Sequence, residues 1–429
     1  MSVHLPTYYL QMLPKSHNLR ILTRLVAIFL FGLFLPVAGQ AGDELAYKLD
    51  YTLELLPESH QAEVTIAIDK GKLFRSIEFE NLPDRYSRIQ ATGKLSLTDN
   101  RVRWEPPAAD AKLSMKVKIP HERDPGEYDS MITWDWAIFR GDDLFPAVKT
   151  EFEDGAYAVA QLTVILPQDW SIETGWPRKK GNQFRIDNPD RKFDRPTGWM
   201  IAGKLGTRRD TIGTTSIAIS APKGGYLKRM DLLTFFNFVW PELERAFHNT
   251  PEKLLVVGMG DPMWRGGLSA SNSFFLHSDR PMVSENGTSP LLHELTHMVT
   301  RISGTKEGQF NDDWIAEGLA EFYSFELLYR AGGMTRERRE HIVSRLGNWG
   351  KNVTSLRKSN SSGKITARAV VLIDKLDKEI RSASNDAFTI DHAVRELMIK
   401  RQVSLEDLDR SVGALIGAKS KVLQSPLLR

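Results

Sequence analysis

The chain contains no cysteine among its 429 residues, so neither a disulfide nor a thiolate can take part in its structure or chemistry. This excludes thiolate zinc sites and catalysis by a cysteine nucleophile. The chain beyond residue 41 also lacks a net charge of either sign. Residues 1–41 contain three basic and no acidic residues, so the remaining 54 basic residues are matched by 54 acidic ones. A balanced chain lacks the electrostatic footprint of a protein that binds nucleic acid or an anionic membrane.

Long apolar runs are missing beyond the amino terminus, which argues against membrane-spanning helices in the rest of the chain. At the amino terminus, basic residues precede the apolar stretch 25–37, and small residues suited to cleavage follow at Gly39 and Ala41. We predict that residues 1–41 are a secretory signal peptide. The alternative is that residues 1–41 remain attached as an uncleaved membrane anchor. In either case the bulk of the protein is expected to be exported, and a cysteine-free exported protein fits a bacterial periplasm.

The hydrophobic pattern changes near residue 223. Before it, apolar residues alternate or run in short stretches separated by turn residues, as in 64–68 and 113–119, which is typical of β-strands. We expect residues 42–222 to form a β-rich, sandwich-like domain. After it, helical spacing dominates residues 223–429, interrupted by an apolar run that predicts a buried strand. The sequence therefore predicts a multidomain α+β fold with a mainly α-helical second domain.

Local signals place several helix ends in this second domain. Ser289 is a good N-cap and Pro290 a good first residue for a helix that follows. Asp312 or Asp313 can cap the next helix. Pro241 is expected to kink or break the helix predicted before it, because proline lacks a backbone N–H.

The helix that starts at Pro290 contains His293-Glu294-Leu295-Thr296-His297. Two imidazoles at positions i and i+4 lie on one helix face and can reach a single metal ion. Glu294 lies next to the first imidazole, where it could act as a general base toward a water molecule. A bare pattern of this kind also occurs by chance on protein surfaces.

The segment downstream strengthens the case for a metal site. A catalytic zinc site needs three protein ligands and one open position. Glu317 is the candidate third ligand, with nineteen residues between it and His297. Glu321 lies one turn later on the same face, where it could hold a ligand imidazole in one tautomer. Two imidazoles and one carboxylate fit zinc best, and we expect one zinc ion per chain.

These motifs resemble those of the gluzincin metallopeptidases, and in particular the M61 glycyl aminopeptidase family and its M1 relatives. The likeness rests on their order along the chain: a β-rich domain, Gly266-Gly267-Leu268, the two histidines, and Trp-Ile-Ala-Glu-Gly at 314–318. Segments 367–381 and 389–397 are similar to further stretches of the family.

The resemblance implies a thermolysin-like catalytic domain that hydrolyses peptide bonds in a peptide or protein substrate. It implies that His293, His297 and Glu317 are the zinc ligands and that Glu294 is the general base. It also implies that the backbone of Gly266, Gly267 and Leu268 binds an extended substrate.

Two departures from the family pattern concern the substrate. Ser269 and Ala270 stand where the family usually has Glu-His, whose glutamate helps to hold the free amino terminus of the substrate. The family also has a tyrosine that stabilises the oxyanion, at a place that falls here on Ile365 or Thr366. The chain has no tyrosine after Tyr329. Both departures argue against an efficient aminopeptidase.

Other side chains are considered as replacements for that tyrosine. Tyr323 and Tyr329 lie about 240° and 120° around the helix from Glu317 at 100° per residue, away from the metal face. His341, His392 and Arg336 are further candidates, although each is more often an ordinary surface side chain.

The leading hypothesis is an exported zinc-dependent peptidase of altered or reduced activity. The alternative is a catalytically weakened or inactive zinc-binding protein of the cell envelope that acts as a binding or assembly module. A third and weaker hypothesis is a metal-dependent hydrolase of a substrate other than a peptide.

Overall fold

A computed structural model describes residues 45–187 and 193–429, and the predicted signal peptide 1–41 lies outside them. The strands in chain order are β1 (Ala46–Leu56), β2 (Gln61–Ile68), β3 (Phe74–Phe79), β4 (Tyr86–Ala91), β5 (Lys94–Thr98), β6 (Arg101–Glu105), β7 (Ala111–Lys118), β8 (His121–Asp124), β9 (Glu127–Ile132), β10 (Trp136–Arg140), β11 (Val148–Phe152), β12 (Tyr157–Ile165), β13 (Ser171–Thr174), β14 (Arg178–Lys180), β15 (Gln183–Ile186), β16 (Trp199–Gly203), β17 (Leu205–Ile212), β18 (Thr215–Pro222), β19 (Lys253–Met259), β20 (Gly267–Ala270), β21 (Ser273–His277), β22 (Ser303–Gly304), β23 (Lys306–Glu307), β24 (Phe310–Asn311) and β25 (Gln402–Val403).

The helices are α1 (Gly141–Leu144), α2 (Arg229–Phe247), α3 (Pro290–Thr300), α4 (Asp313–Arg330), α5 (Arg336–Trp349), α6 (Lys364–Ala383), α7 (Ile390–Lys400) and α8 (Leu405–Ile416). None of the helices in the described ranges combines the length and the apolar character needed to cross a bilayer.

The amino-terminal part is β-rich, as predicted. Its strands form a seven-stranded sheet in the order β14-β15-β12-β1-β2-β7-β4, a five-stranded sheet β13-β16-β10-β9-β8, and a four-stranded sheet β11-β3-β6-β5. The alternation seen in the sequence has a structural cause in β1, where Leu49, Tyr51 and Leu53 are buried and the residues between them are half-buried. Period-two burial of this kind covers one face of a sheet with core side chains.

A fourth sheet, in the order β17-β18-β19-β21-β20, joins the last amino-terminal strands to the first strands of the helical part. β18 pairs in parallel with β19, and β19 in parallel with β21. A parallel pair needs a crossover, which α2 supplies between β18 and β19. The predicted domain boundary near residue 223 therefore falls between two neighbouring strands of one sheet.

Helix α2 continues through Pro241, so the predicted break is wrong, and a kink at this position stays a prediction. The side chains of Val239, Trp240 and Leu243 around the proline are fully buried. Burial of one helix face on this scale outweighs the loss of a single backbone hydrogen bond, because most helix stability in proteins comes from tertiary packing.

The predicted start of α3 is confirmed. The Ser289 hydroxyl accepts a hydrogen bond from the Leu292 N–H at 3.2 Å, and Pro290 is the first helical residue. Asp312 stands at the N-cap of α4 but makes no capping bond. Its carboxylate instead accepts two hydrogen bonds from Arg357 at 2.6 and 2.9 Å, which ties the start of α4 to the loop after α5.

Close packing of α4 explains the glycine that follows Glu317. A Cβ atom on Gly318 would lie 2.8 Å from the Ile373 side chain and 2.9 Å from that of Ala369 on α6. A larger residue would push the two helices apart. Gly318 therefore helps to fix the position of α4, and with it the carboxylates that α4 carries.

Candidate metal centre

Helix α3 presents two imidazoles that face each other. The Nε2 atoms of His293 and His297 are 3.1 Å apart, and both rings are mostly shielded from solvent. The opposite side of the helix carries Leu291, Leu292 and Leu295, which are fully buried. This apolar face locks the rotation of the helix, so the two rings have to point into the same space.

Helix α4 adds a carboxylate at that point. Glu317 places one oxygen 3.5 Å from His293 Nε2 and the other 3.3 Å from His297 Nε2. The ligand atoms of these three residues lie within 4.8 Å of one another. Among the described residues, this is the one group of three such side chains that could hold a metal ion. Two imidazoles and a carboxylate are the donor set of a catalytic zinc site.

Glu321 binds the other nitrogen of the first imidazole. Its carboxylate lies 3.0 Å from His293 Nδ1, one helical turn beyond Glu317. Burial acts to lower the pKa of His293, but hydrogen bonds to Glu317 and Glu321 outweigh it and raise this pKa to about 10. Burial likewise acts to raise the pKa of Glu317, whereas its hydrogen bonds with the two histidines lower it to about 2. A metal ion held here would replace a proton, so its binding is coupled to proton release.

Glu294 lies outside the ligand cluster and faces strand β20. A Cβ atom on Gly267 would lie 3.1 Å from Glu294 Cγ and 3.4 Å from Oε1. Glycine at this position therefore leaves room for the carboxylate between α3 and the strand. The structure thus brings Glu294, the candidate ligands and one edge of the sheet together.

Strand β20 is the edge strand of the fourth sheet. The carbonyl of Gly266 accepts a hydrogen bond from the His277 N–H at 3.0 Å. In an antiparallel pair every second residue is hydrogen-bonded to the neighbouring strand, so this bond shows which residues of β20 face β21. By this alternation Gly266 and Leu268 direct their backbone groups toward β21, and Gly267 and Ser269 direct theirs to the open edge. Of the three residues predicted to bind substrate, Gly267 is the one whose backbone faces outward.

A contact that the sequence does not predict stabilises this edge strand. Trp199 Nε1 donates a hydrogen bond to the Leu268 carbonyl at 2.8 Å, and its ring packs on Phe275. Trp199 is 69 positions away from Leu268 and has no motif around it. Only the packing of the two parts of the chain reveals the contact.

The side chains considered as replacements for the family's tyrosine are held elsewhere. Tyr323 is fully buried and its hydroxyl donates to Asp391 at 2.6 Å. His392 Nδ1 accepts the backbone N–H of Thr389 as part of the cap of α7. Arg336 lines a separate cavity between the helices, together with Tyr329 on α4, and the walls of that cavity include none of the candidate ligands.

The two positions that the resemblance assigns to that tyrosine offer no free hydrogen-bond donor for an oxyanion. Ile365 is half-buried, and the buried Thr366 hydroxyl shares a hydrogen bond of 3.0 Å with Ser361. His341 is exposed on α5.

Neither a protein-family model nor a curated protein matches the sequence. Solved structures do match it. The aminopeptidase N family protein from Idiomarina loihiensis is 16% identical with a TM-score of 0.62, and the match covers 89% of this chain and 74% of that one. The M1 zinc metallopeptidase from Deinococcus radiodurans, in a variant bound to a Tyr-Ser-Ala substrate, is 16% identical with a TM-score of 0.55 over 89% and 93% of the two chains.

The aminopeptidase A of Legionella pneumophila, in complex with aspartic acid, is 15% identical with a TM-score of 0.55. The match covers 89% of this chain and 49% of that protein, so the chain spans about half its length. At these identities the likeness concerns the fold. The chain is therefore similar in fold to the M1, aminopeptidase N-like zinc metallopeptidases.

Proposed function

We propose that this protein is an exported, zinc-dependent peptidase with one zinc ion per chain. The observation that carries the proposal is the convergence of His293, His297 and Glu317, with Glu294 placed between these residues and an open strand edge. The similarity in fold to zinc metallopeptidases supports it, and the neighbour bound to a tripeptide supports a peptide substrate.

Each side chain of the site has a task in this proposal. When bound, zinc would polarise the scissile carbonyl and make a water molecule more acidic. His293 and His297 would hold the ion through Nε2, and Glu317 through its carboxylate. Glu321 accepts the Nδ1–H of His293, which fixes the tautomer that leaves Nε2 free as a ligand.

Proton transfer falls to Glu294. Its Oε1 lies beside Gly267, whose backbone groups face the open edge where an extended peptide can add as a further strand. A carboxylate in this place can take the proton from the attacking water and deliver it to the leaving amine. Strand β20 would position the peptide, and Glu294 on α3 would transfer the proton.

Features of the sequence support the narrower parts of the proposal. An M61-like assignment is supported by the motifs 266–268, 367–381 and 389–397 in the sequence. Export to the periplasm is supported by the features of residues 1–41. Ser269 has its backbone at the open edge and cannot pair with an ammonium group, which favours extended peptides or a protein over efficient removal of amino-terminal residues.

The proposal is tested by incubating the zinc-loaded protein with a mixed peptide library and identifying the products by mass spectrometry. Internal cuts are expected and would indicate an endopeptidase. Release of single amino-terminal residues would support a peptidase that binds the amine by another group. A library that stays intact, with zinc bound, would contradict the proposal.

A second candidate function is a binding or assembly module in the cell envelope that keeps the fold and the zinc site. It is favoured by one observation, that the Tyr323 hydroxyl is buried and bound to Asp391, so it is not available to stabilise an oxyanion. Loss of an oxyanion donor can lower a rate on the order of 10²–10³-fold. Persistence of the biological role in a variant that binds zinc but cannot cleave would favour this candidate.

Substitution of Glu321 by glutamine is expected to weaken zinc binding about 10–100-fold. The amide would keep the size of the side chain but weaken the hydrogen bond that orients His293. Zinc affinity would be measured by competition with a chromophoric chelator, with Glu396→Gln, an exposed carboxylate on α7, as the matched control. Equal affinities of the two variants would show that Glu321 does not support the ligand.

A further inference from the structure

The hairpin formed by β8 and β9 contacts the loop that leads into the edge strand β20. The Tyr128 N–H donates to the Pro262 carbonyl at 3.0 Å, and the Trp264 N–H donates to the Tyr128 carbonyl at 2.8 Å. The backbone N–H of Arg265 points to the Glu127 carboxylate at 3.4 Å. These contacts hold a β-hairpin of the amino-terminal part against the loop that precedes the edge strand β20.

The ring of Trp264 lies on Gly266. A Cβ atom on Gly266 would lie 2.0 Å from Trp264 Cη2 and 2.1 Å from Cζ3, so only glycine allows the ring to take this place. The next residue, Gly267, is the one that faces Glu294. Because neighbouring residues of a strand point to opposite faces, the ring covers the face of β20 that is turned away from α3. Alternate side chains of a peptide added at this edge would point to that face.

Arg123 on β8 lies over the same ring. Its guanidinium carbon is 3.9 Å from the centre of the Trp264 ring, and the side chain is exposed. Stacking uses the flat face of the guanidinium and leaves its N–H groups available in the plane. Within residues 45–187 and 193–429, no carboxylate or carbonyl accepts a hydrogen bond from the Arg123 side chain.

The hairpin has four acidic side chains, Glu122, Asp124, Glu127 and Asp129, and none of them forms an ion pair with Arg123 in the described part of the chain. Glu122 accepts the Gly126 N–H at 2.6 Å, and Asp129 lies 2.7 Å from His121 Nδ1. Glu127 is directed to the backbone of the loop, as described above. A guanidinium that lies over an indole ring and has no carboxylate partner among the described residues is suited to bind a carboxylate through two parallel hydrogen bonds.

We propose that Arg123, held by Trp264, determines substrate preference by binding a carboxylate of the peptide at the Gly266 end of the edge strand. The carboxylate is either an acidic side chain or the carboxyl terminus of a short peptide. The inference deepens the proposed function and rests on its peptide substrate. It names the substrate class as acidic peptides or peptides that end close to the site.

The test measures binding rather than turnover. Peptides of one backbone sequence carry aspartate or asparagine at each position in turn, and each is made with a free or an amidated carboxyl terminus. Their dissociation constants are measured by calorimetry with the zinc-loaded Glu294→Gln protein. One acidic position, or the free terminus, is expected to bind about tenfold more tightly than its neutral analogue. A difference between aspartate and asparagine peptides would identify an acidic side chain as the bound carboxylate, and a difference between free and amidated peptides would identify the carboxyl terminus.

The same series is repeated after Arg123→Gln, Arg123→Lys and Arg208→Gln. Arg208 is an exposed arginine on β17 and provides the same change of charge elsewhere. The preference is expected to disappear in Arg123→Gln, to be reduced in Arg123→Lys, and to persist in Arg208→Gln. Melting temperatures equal to that of the parent show that the variants are folded.

The outcomes separate this inference from the proposed function. A preference that survives in Arg123→Gln, or no preference at all, overturns the role of Arg123 even where the parent protein cleaves peptides. An Arg123-dependent preference in a protein that cleaves nothing supports the role of Arg123 and contradicts the peptidase. Absence of any peptide binding overturns both.

Discussion

Replacement of Glu294 by glutamine is expected to lower kcat for peptide hydrolysis by about 10²–10⁴-fold, while the zinc content of the protein stays unchanged. The side chain faces Gly267 and lies outside the group of His293, His297 and Glu317, so its loss leaves the candidate ligands intact. Glutamine has the same shape as glutamate but cannot take up a proton. The variant therefore separates metal binding from proton transfer.

The measurement pairs single-turnover kinetics on a peptide that the parent protein cleaves with zinc analysis of the same sample. Glu396→Gln, which changes an exposed carboxylate on α7, is the control and is expected to cleave at the parent rate. Cleavage by zinc-loaded Glu294→Gln at that rate would exclude Glu294 as the base. Loss of zinc together with activity would instead give it a role in metal binding.

Replacement of Asp391 by alanine is expected to lower the free energy of unfolding by about 3–5 kcal/mol. Asp391 is buried and accepts hydrogen bonds from the Tyr323 hydroxyl at 2.6 Å and from Arg330 at 2.6 and 3.2 Å. Burial, together with the charge of Asp391, raises the pKa of Tyr323, so this hydroxyl stays a neutral donor. Without Asp391, the buried Tyr323 hydroxyl loses its acceptor, and the largely buried Arg330 guanidinium keeps only its ion pair with Glu326.

The change would be measured by urea unfolding of the zinc-free protein, so that metal binding does not contribute. Tyr323→Phe is the matched comparison, since it removes one donor and leaves the ion pair between Asp391 and Arg330. It is expected to cost about 1 kcal/mol. A loss in Asp391→Ala no larger than in Tyr323→Phe would show that the ion pair contributes no stability.

The candidate site was predictable from the sequence where it depends on helical spacing. His293 and His297 lie four residues apart, as do Glu317 and Glu321, so the geometry of an α-helix alone puts each pair on one face. The N-cap at Ser289 follows from equally local chemistry. The bond between Glu321 and His293 could be expected because both faces have to meet at one metal ion.

Features that depend on distant packing could not be predicted. Asp312 or Asp313 was expected to cap α4, but the Asp312 carboxylate at the N-cap is bound by Arg357 instead. Pro241 was expected to kink or break helix α2, but the helix continues through it because the neighbouring side chains are buried. The position of Trp264 on Gly266 depends on a hairpin more than a hundred residues earlier in the chain. Short sequence patterns carry no information about such contacts.

The fourth sheet limits how a chain of this kind can arise by recombination. β18 and β19 belong to opposite sides of the predicted boundary near residue 223, yet they are hydrogen-bonded neighbours. A gene segment that began at residue 223 would encode β19 with its edge uncovered, and an apolar edge strand promotes aggregation. Leu255 and Val257 would lie on that edge. An exchange of amino-terminal parts between relatives would therefore keep the sheet whole if the joint fell before Leu205 or after His277, but not if it fell at residue 223.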